Sequence, residues 1–398
     1  MPASSSAGII RFFEEDTPGV VATGSPQIYR TTGGTLSQTT ESSEDNELRA
    51  DRGRGDSTLV SGSVAGPLEI NWSHNTHDDF LSALLAEDFV DVDTDNTMVI
   101  ADAVFTQSAH TLAGTTTLPL IEPGQWFQLT GCNLAANDGI YKATSATHTT
   151  SLITVDTEVK DFTDDTSNSA TISSGRLSQA YDDLRTFTIE RELSDLAVPL
   201  FFSWKGCYVN SLSLNYSITD KLTGSFGFLG SETEVQGTSS ILDDAGEAAT
   251  TTPFFNSVTG TSVLLDGVTM GESCVESLTL DIQANLRERR CIGGGLSASS
   301  IGLDPFKISF SANIYFGTAA SAALYAKKIS DTSLTFAVCL TDSEGNGFAI
   351  TVPRAKITSA EVDGGGMGSD VMLSLACDAV TDSTDATMIH IDRLGTTA

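Results

Sequence analysis

The chain has 398 residues, 40% hydrophobic and 7% aromatic, with 21 Lys+Arg against 52 Asp+Glu for a formal charge of −31. Such an acidic surface opposes attractive binding to nucleic acid, which needs cations facing phosphates. No run of about 18 apolar residues is present to cross a membrane as a helix.

Thr, Ser and Gly are abundant and the apolar segments are short, which predicts an all-β protein with short helices in two or three domains. Residues 1–10 lack a basic region followed by an apolar stretch, so no secretory signal is expected. The charge fits either plain solubility, including adaptation to salt, or a surface that must repel DNA or membranes. Six cysteines (132, 207, 274, 291, 339, 377) show no metal-type spacing. Cys207, Cys339 and Cys377 lie in apolar runs and read as buried, reduced thiols, as in a cytoplasm.

In chain order, 1–26 reads as an arm with a Pro18-Gly19 turn, 27–40 as a polar strand and 41–55 as a charged loop. The strand 57–73 puts Leu68, Ile70 and Trp72 on one face and Glu69, Asn71 and Ser73 on the other. A short helix follows over 77–86, with Thr76 as N-cap and acids in its first turn. Residues 97–180 carry strands of their own (97–106, 125–129, 139–144, 152–155), separated by Pro123-Gly124 and Asn137-Asp138-Gly139 turns. They read as a small β domain inserted in an exposed loop. Strands return at 186–193, 200–204, 207–216 and 222–229. The polar segment 231–260 reads as a linker, 261–382 as a second domain with a helix near 319–329, and 383–398 as a tail.

The two larger domains look like one module written twice. Pro67-Leu-Glu-Ile-Asn-Trp-Ser73 matches Pro305-Phe-Lys-Ile-Ser-Phe-Ser311 at an offset of 238, which also carries Leu48-Arg49 onto Leu286-Arg287 and Asn75 onto Asn313. Thr188-Ile-Glu-Arg-Glu-Leu-Ser-Asp195 matches Thr335-Phe-Ala-Val-Cys-Leu-Thr-Asp342 at 147. The drop of 91 (238 − 147) is the insert. The first module is thus 27–96 plus 181–230, interrupted by 97–180.

Several strands have one apolar face and one small, polar face. Leu278, Leu280 and Ile282 alternate with Ser277, Thr279, Asp281 and Gln283. Tyr208, Leu212, Leu214 and Tyr216 alternate with Val209, Ser211, Ser213 and Asn215. An ordinary solvated sheet face has this pattern; so has the wall of a water-filled channel, which its occurrence in both modules favours. Candidate lining residues are Glu69, Asn71, Ser73, Ser211, Ser213, Asn215, Ser277, Thr279, Asp281 and Gln283, with Lys307, aligned to Glu69, the exception.

No nucleophile elbow, P-loop, dinucleotide fingerprint or HExxH appears, so neither catalysis nor a cofactor is expected. His74 and His77 beside Asp78 and Asp79 read as a solvated helix start rather than a metal pair. Asp91-x-Asp93-x-Asp95 lacks the Gly and terminal Glu of a calcium loop and reads as an acidic connector. Arg54-Gly55-Asp56 reads as a chance match to an adhesion tripeptide.

The acidic loop Thr40-Glu41-Ser42-Ser43-Glu44, then Leu48-Arg49-Ala50-Asp51-Arg52, the strand 57–73 and the helix His77 to Leu85 together resemble the tail tube proteins of long-tailed bacteriophages. The stretches Gly124-Gln-Trp-Phe-Gln-Leu-Thr-Gly131 and Asn137-Asp-Gly-Ile-Tyr-Lys142 are similar to an insert in that family; the likeness covers most of 20–380. In the second module 291–300 replaces the charged loop end with Gly and Ser.

The resemblance implies tandem tube-type β-sandwich modules, six to a ring, whose inner sheets form one barrel wall. With two modules per chain, three chains would make a pseudo-hexameric ring. It implies stacking through loops and arms, DNA transit without specific binding, and tape-measure, tail-terminator and distal tail proteins as partners. It also implies a virion tail, assembled in the host cytoplasm, with no membrane. Within the loops 41–56 and 284–300, Arg49, Arg52, Arg54, Arg287, Arg289 and Arg290 are the expected ring-to-ring contacts. Two other readings stay open: a tandem β-domain surface or fibre protein binding glycans or cells, and a polysaccharide-active enzyme with a carboxylate pair.

Overall fold

Alternating apolar and polar residues make strands of much of the chain, and the computed structural model pairs its main strands antiparallel. It describes residues 8–45, 55–93, 95–114, 118–147, 151–180, 183–242, 246–259, 261–270 and 274–396. β1 (Gly8–Glu15), β2 (Ser37–Glu44), β3 (Ser57–Asn71), α1 (Asp78–Leu85), β4 (Thr186–Leu193), β5 (Leu200–Ser217) and β6 (Thr223–Gly230) frame the first half. β7 (Thr261–Leu265), β8 (Val275–Gln283), β9 (Lys307–Tyr315), α2 (Ala319–Ser330), β10 (Leu334–Thr341), β11 (Gly347–Asp363) and β12 (Met372–Ala379) frame the second. β13 (His390–Leu394) follows.

In the first half the hydrogen-bonded order is β2-β3-β6-β5; the earlier part of β5 pairs instead with β4, and β4 with β1. In the second half the order is β8-β9-β12-β11, and the earlier part of β11 pairs with β10, and β10 with β7. Each long strand therefore serves two sheets. Each carries a bulge, at Asn210 and at Thr358, where an extra residue bends the strand. The two four-stranded sheets join edge to edge, because β5 pairs with β8 from Ser211↔Gln283 to Ser217↔Ser277. The result is an eight-stranded sheet, β2-β3-β6-β5-β8-β9-β12-β11. One apolar core runs beneath both halves and contains Trp72, Phe80, Phe226, Phe310 and Phe336. The Trp72 and Phe348 rings meet across the halves, 5.0 Å between centroids.

The recurring ladder gives equivalent positions. Phe187 opposite Cys207 corresponds to Leu334 opposite Ala355, which keeps the 147-residue offset. Gly227 lies between Ser211 and Pro67, as Ala376 lies between Ser359 and Ser311. Pro67 thus corresponds to Ser311, 244 positions on (311 − 67), whereas the sequence match puts it at Pro305. The hydrogen-bond register overrides the match by six residues. An even slip leaves every side chain on its own face, so the alternation survives the error. Glu69 corresponds to Asn313 rather than Lys307.

Three segments differ from expectation. The arm 1–26 includes β1, whose Ile10 and Phe12 are core. The linker 231–260 includes Val235–Gly237, which pairs with β5, and the buried Leu242 and Phe255. The tail 383–398 includes β13, which pairs with β11 on one side and Gly175–Ser178 on the other. Gly175–Ser178, expected in the insert, thus belongs to the main framework. Arg393 of β13 ion-pairs with Asp78 at the start of α1 and with Asp91, 2.7 Å away. Helix α1 is capped by His77, with no side-chain cap bond, whereas the Thr76 hydroxyl bonds Ser73 at 2.7 Å. Thr318 caps α2 through a reciprocal capping box with Ser321.

The insert forms its own eight-stranded sheet among the described residues, from Thr97–Ile100 to Ala170–Ser173, over a core of Phe105, Phe127, Tyr141 and Phe162. The single strand expected over 97–106 is two, Thr97–Ile100 and Ala103–Thr106. The insert docks on the second half. Trp126 is fully buried with Leu264, Ala337, Cys339, Ala349 and Leu394. Its backbone N–H donates to Asp392 (3.0 Å) and its indole N–H to Thr351 (3.1 Å).

Candidate functional site

The eight-stranded sheet presents its apolar face to the core and a polar face outward. Side by side across the ladder stand Glu69, Ser225, Ser213, Asp281, Ser309 and Asp378. The next row holds Asn71, Thr223, Asn215, Thr279 and Ser311; a row further along holds Ser217, Ser277, Asn313, Ser374 and Glu361. Between these rows, pointing inward, Leu212, Leu214, Leu280, Ile282, Phe226 and Phe310 are buried. One face is therefore dry and the other carries small hydroxyl, amide and acidic side chains across the seam between the halves.

Short side chains on adjacent strands bond one another across this face. Thr279 and Ser311 hydroxyls are 2.6 Å apart, Asn313 donates to Ser277 at 3.1 Å, and Ser374 donates to Asn313 at 2.9 Å. Lys307, the one expected exception, stands 4.0 Å from the carboxylate of Asp378, which offsets it locally.

Nine of the ten candidate lining residues share this face. Ser73 does not: it lies past the end of β3, buried, with Arg30 donating to its hydroxyl at 3.2 Å. Tyr208 and Val209 also change sides relative to the expected alternation. The Asn210 bulge resets the pleat, so Cys207 and Val209 point to the core with Leu212. No signal in the sequence marks that bulge. β6 and β12 add to the same face as their sequence alternation suggests: Thr223 and Ser225 stand opposite Leu222, Phe226 and Phe228 in the pattern, and Ser374 opposite Leu373 and Leu375, although none of the three is among the ten candidates.

Arg49, Arg52 and Arg54 lie outside the described residues. The loop 284–300 is the limb of a hairpin, Leu286–Arg289 paired with Ser300–Leu303. This hairpin lies against the first half: Ser63 donates to Glu288 at 2.6 Å, Arg290 donates to the carbonyl of Gly62, and the Ala298 N–H donates to the Ser231 carbonyl at 2.8 Å. Arg290 is thus engaged within the chain. Arg287, with its side chain 57% exposed, pairs with Asp304 at 3.3 Å, and Arg289 is exposed.

The histidines near α1 are not solvated. His74 and His77 are buried, and the Tyr29 hydroxyl lies 2.8 Å from His77 Nδ1. Burial pushes the His77 pKa down to about 3. Asp91 is held by Arg393, and no group of three or more metal-type ligands gathers among the described residues. Cys207, Cys339 and Cys377 are buried; burial raises all three thiols, Cys377 to about 12.

A protein-family model described as phage tail tube protein matches residues 5–379. No curated protein matches the chain.

Proposed function

Because the chain belongs to the phage tail tube protein family, a structural family of the virion tail, we propose that it is a non-catalytic tube subunit built of two copies of one module. In this reading the subunit polymerises into stacked rings, and the eight-stranded sheet is one sector of the channel wall. Three chains complete a ring of six modules. The observation that carries the proposal is the edge-to-edge seam between β5 and β8, which extends a single polar face across both halves.

Three such chains would set 24 strands around the channel. At strand spacings of about 4.8 Å and tilts of about 40°, opposite backbones stand roughly 50 Å apart. The face that would line this space carries Glu69, Asp281, Asp378 and Glu361 among neutral hydroxyls and amides. Lys307 beside Asp378 and Lys356 opposite it in the ladder are cations among these acids, so a phosphate backbone gains little counterion release from such a wall and DNA slides without sticking. The insert docks by Trp126 on the outer sandwich layer and decorates the outside of the tube. The ends of β2 and β3 and the hairpin 286–303 reach between rings, with Arg287 and Arg289 available to acidic neighbours.

The test is the subunit count. Electron micrographs of the purified assembled chain, viewed down the tube, should show rings of three chains with pseudo-sixfold symmetry, and native mass of a ring should equal three chains. Six chains per ring, or a chain that never forms rings or tubes, rejects the proposal.

A further inference from the structure

The seam inside the chain is a template for the seam between chains. Among the described residues, the outer edges of the eight-stranded sheet are β2 and the later part of β11; neither pairs with a further strand there. By the ladder equivalences, β11 corresponds to β5 and β2 to β8. The β5–β8 seam therefore specifies how β11 of one copy meets β2 of the next. We infer that β11 of one chain pairs antiparallel with the 35–39 segment of a second copy, with Ser359 opposite Thr39, Ala360 opposite Gln38, Glu361 opposite Ser37, Val362 opposite Leu36 and Asp363 opposite Thr35. This rests on the ring reading above and adds its register.

Four observations support that register. First, Asn210 and Thr358 are matching bulges, and in the internal seam the residues after Asn210 pair with β8. The template pairs Ser211↔Gln283, Ser213↔Asp281 and Asn215↔Thr279 become Ser359–Thr39, Glu361–Ser37 and Asp363–Thr35. Second, the polar pairing is kept: an acid meets a serine in both seams, Asp281 with Ser213 inside the chain and Glu361 with Ser37 between chains, and Asp363 meets Thr35 where Asn215 meets Thr279. No like charges face each other.

Third, Val362 is 41% exposed, while its equivalent Leu214 is buried against Leu280. A neighbouring β2, bringing Leu36, covers it. Fourth, the internal seam bonds the backbone at Asn210–Ala284 and Ile218–Glu276, so alternate pairs between them are hydrogen-bonded and the intervening ones are not. The equivalent hydrogen-bonded pair between copies is Gln38 with Ala360. In the single chain the Gln38 N–H reaches only the carboxylate of Glu234, at 3.3 Å, and the Ala360 carbonyl only the ammonium of Lys328, at 3.5 Å. Both are side-chain partners standing where a strand would bond. Unpaired edges of this kind template strand addition.

The test uses the full chain with Cys274→Ser and Cys291→Ser to remove the exposed thiols. The pair Ser37→Cys with Glu361→Cys occupies a non-hydrogen-bonded position, where Cα atoms stand about 4.5 Å apart and a disulfide closes without strain. Oxidised tubes should yield covalent multimers ending at a closed trimer on a non-reducing gel, returning to monomer with reductant. Thr39→Cys with Ser359→Cys should do the same. Glu41→Cys with Glu361→Cys, four residues and about 13 Å out of register, should not. Intact tubes that do not cross-link with either matched pair, or that cross-link equally well with the shifted pair, overturn the register and leave the tube reading standing. Hydrogen exchange needs no substitution: the amides of Leu36, Gln38, Ala360 and Val362 should slow at least tenfold on assembly. Unchanged exchange in intact tubes also overturns the inference, while absence of rings altogether overturns both readings.

Discussion

Buried polar side chains set the energetics at the scale of single residues. His77 sits against Trp72 and Phe226, its ring nitrogens facing the Tyr29 hydroxyl and the Asn71 carbonyl. Its folded pKa, about 3, lies below the ordinary value of about 6.5. The sign follows from linkage. Above pH 6.5 neither state is protonated and no cost arises; as the pH falls below 6.5 the unfolded chain takes up the proton and the folded chain does not. Stability is therefore lost on acidification down to about pH 3, and at pH 5 the loss from His77 is about 2 kcal/mol. The expected outcome is a urea midpoint of the unassembled chain that falls between pH 7.5 and 5.0, and a clearly smaller fall in His77→Gln. Burial shifts His74 and His390 in the same direction, so the difference between the two proteins isolates His77. Equal falls would refute its buried neutral state. The buried Glu15 shows the opposite solution: it stays satisfied by accepting from Thr188 (2.6 Å), Thr186 (2.8 Å) and the Gly206 N–H (2.9 Å).

Two contacts between elements join parts that the sequence presents as separate. One is β13, which stitches β11 to Gly175–Ser178 and carries the buried ion pair of Asp392 with Arg176, 2.8 Å apart. The other is the Trp126 dock. Removing a fully buried indole together with its hydrogen bond costs about 3–5 kcal/mol, so Trp126→Ala should lower the urea midpoint of the transition involving the second half. It should also expose the insert's boundaries to limited proteolysis. A loss under about 1 kcal/mol would show that the insert is tethered rather than docked. The dock ties the inserted domain, which keeps its own sheet and core, to the second half. Leu264, Ala337, Cys339 and Ala349 form an apolar patch on the outer sheet that Trp126 of the insert covers, together with Leu394 of β13.

Across the whole molecule, the balance of charge on the polar face is what the proposed channel depends on. Thr279 and Ser213 lie centrally on that face, one on each side of the seam. Replacing both with Lys adds two cations per chain, and thus six per ring of three, to a wall otherwise poor in them. Each cation near phosphate steepens the salt dependence of DNA association. Particles with Thr279→Lys and Ser213→Lys should assemble tubes of normal length yet eject DNA severalfold more slowly, and the slowing should grow as ionic strength falls, since charges attract over about 10 Å at 0.1 M salt and over longer distances in more dilute buffer. A normal ejection rate at low salt would mean that this face does not line the path.

Much of this protein is legible from local pattern. The alternation around Leu280 and Leu212 names the dry and wet faces, and a repeat is visible in two short matches, because side-chain period and residue type are properties of a strand alone. The slip of six residues between Pro305 and Ser311, the sequence and register counterparts of Pro67, shows where that information ends. Period-two patterns match at every even offset, and only inter-strand hydrogen bonds choose among them. Long-range pairing likewise decided that 390–394 is a framework strand, that the Asn210 bulge turns Tyr208 from the core side, and that β5 meets β8. Each depends on partners far apart in the chain, whose mutual fit no window of sequence contains.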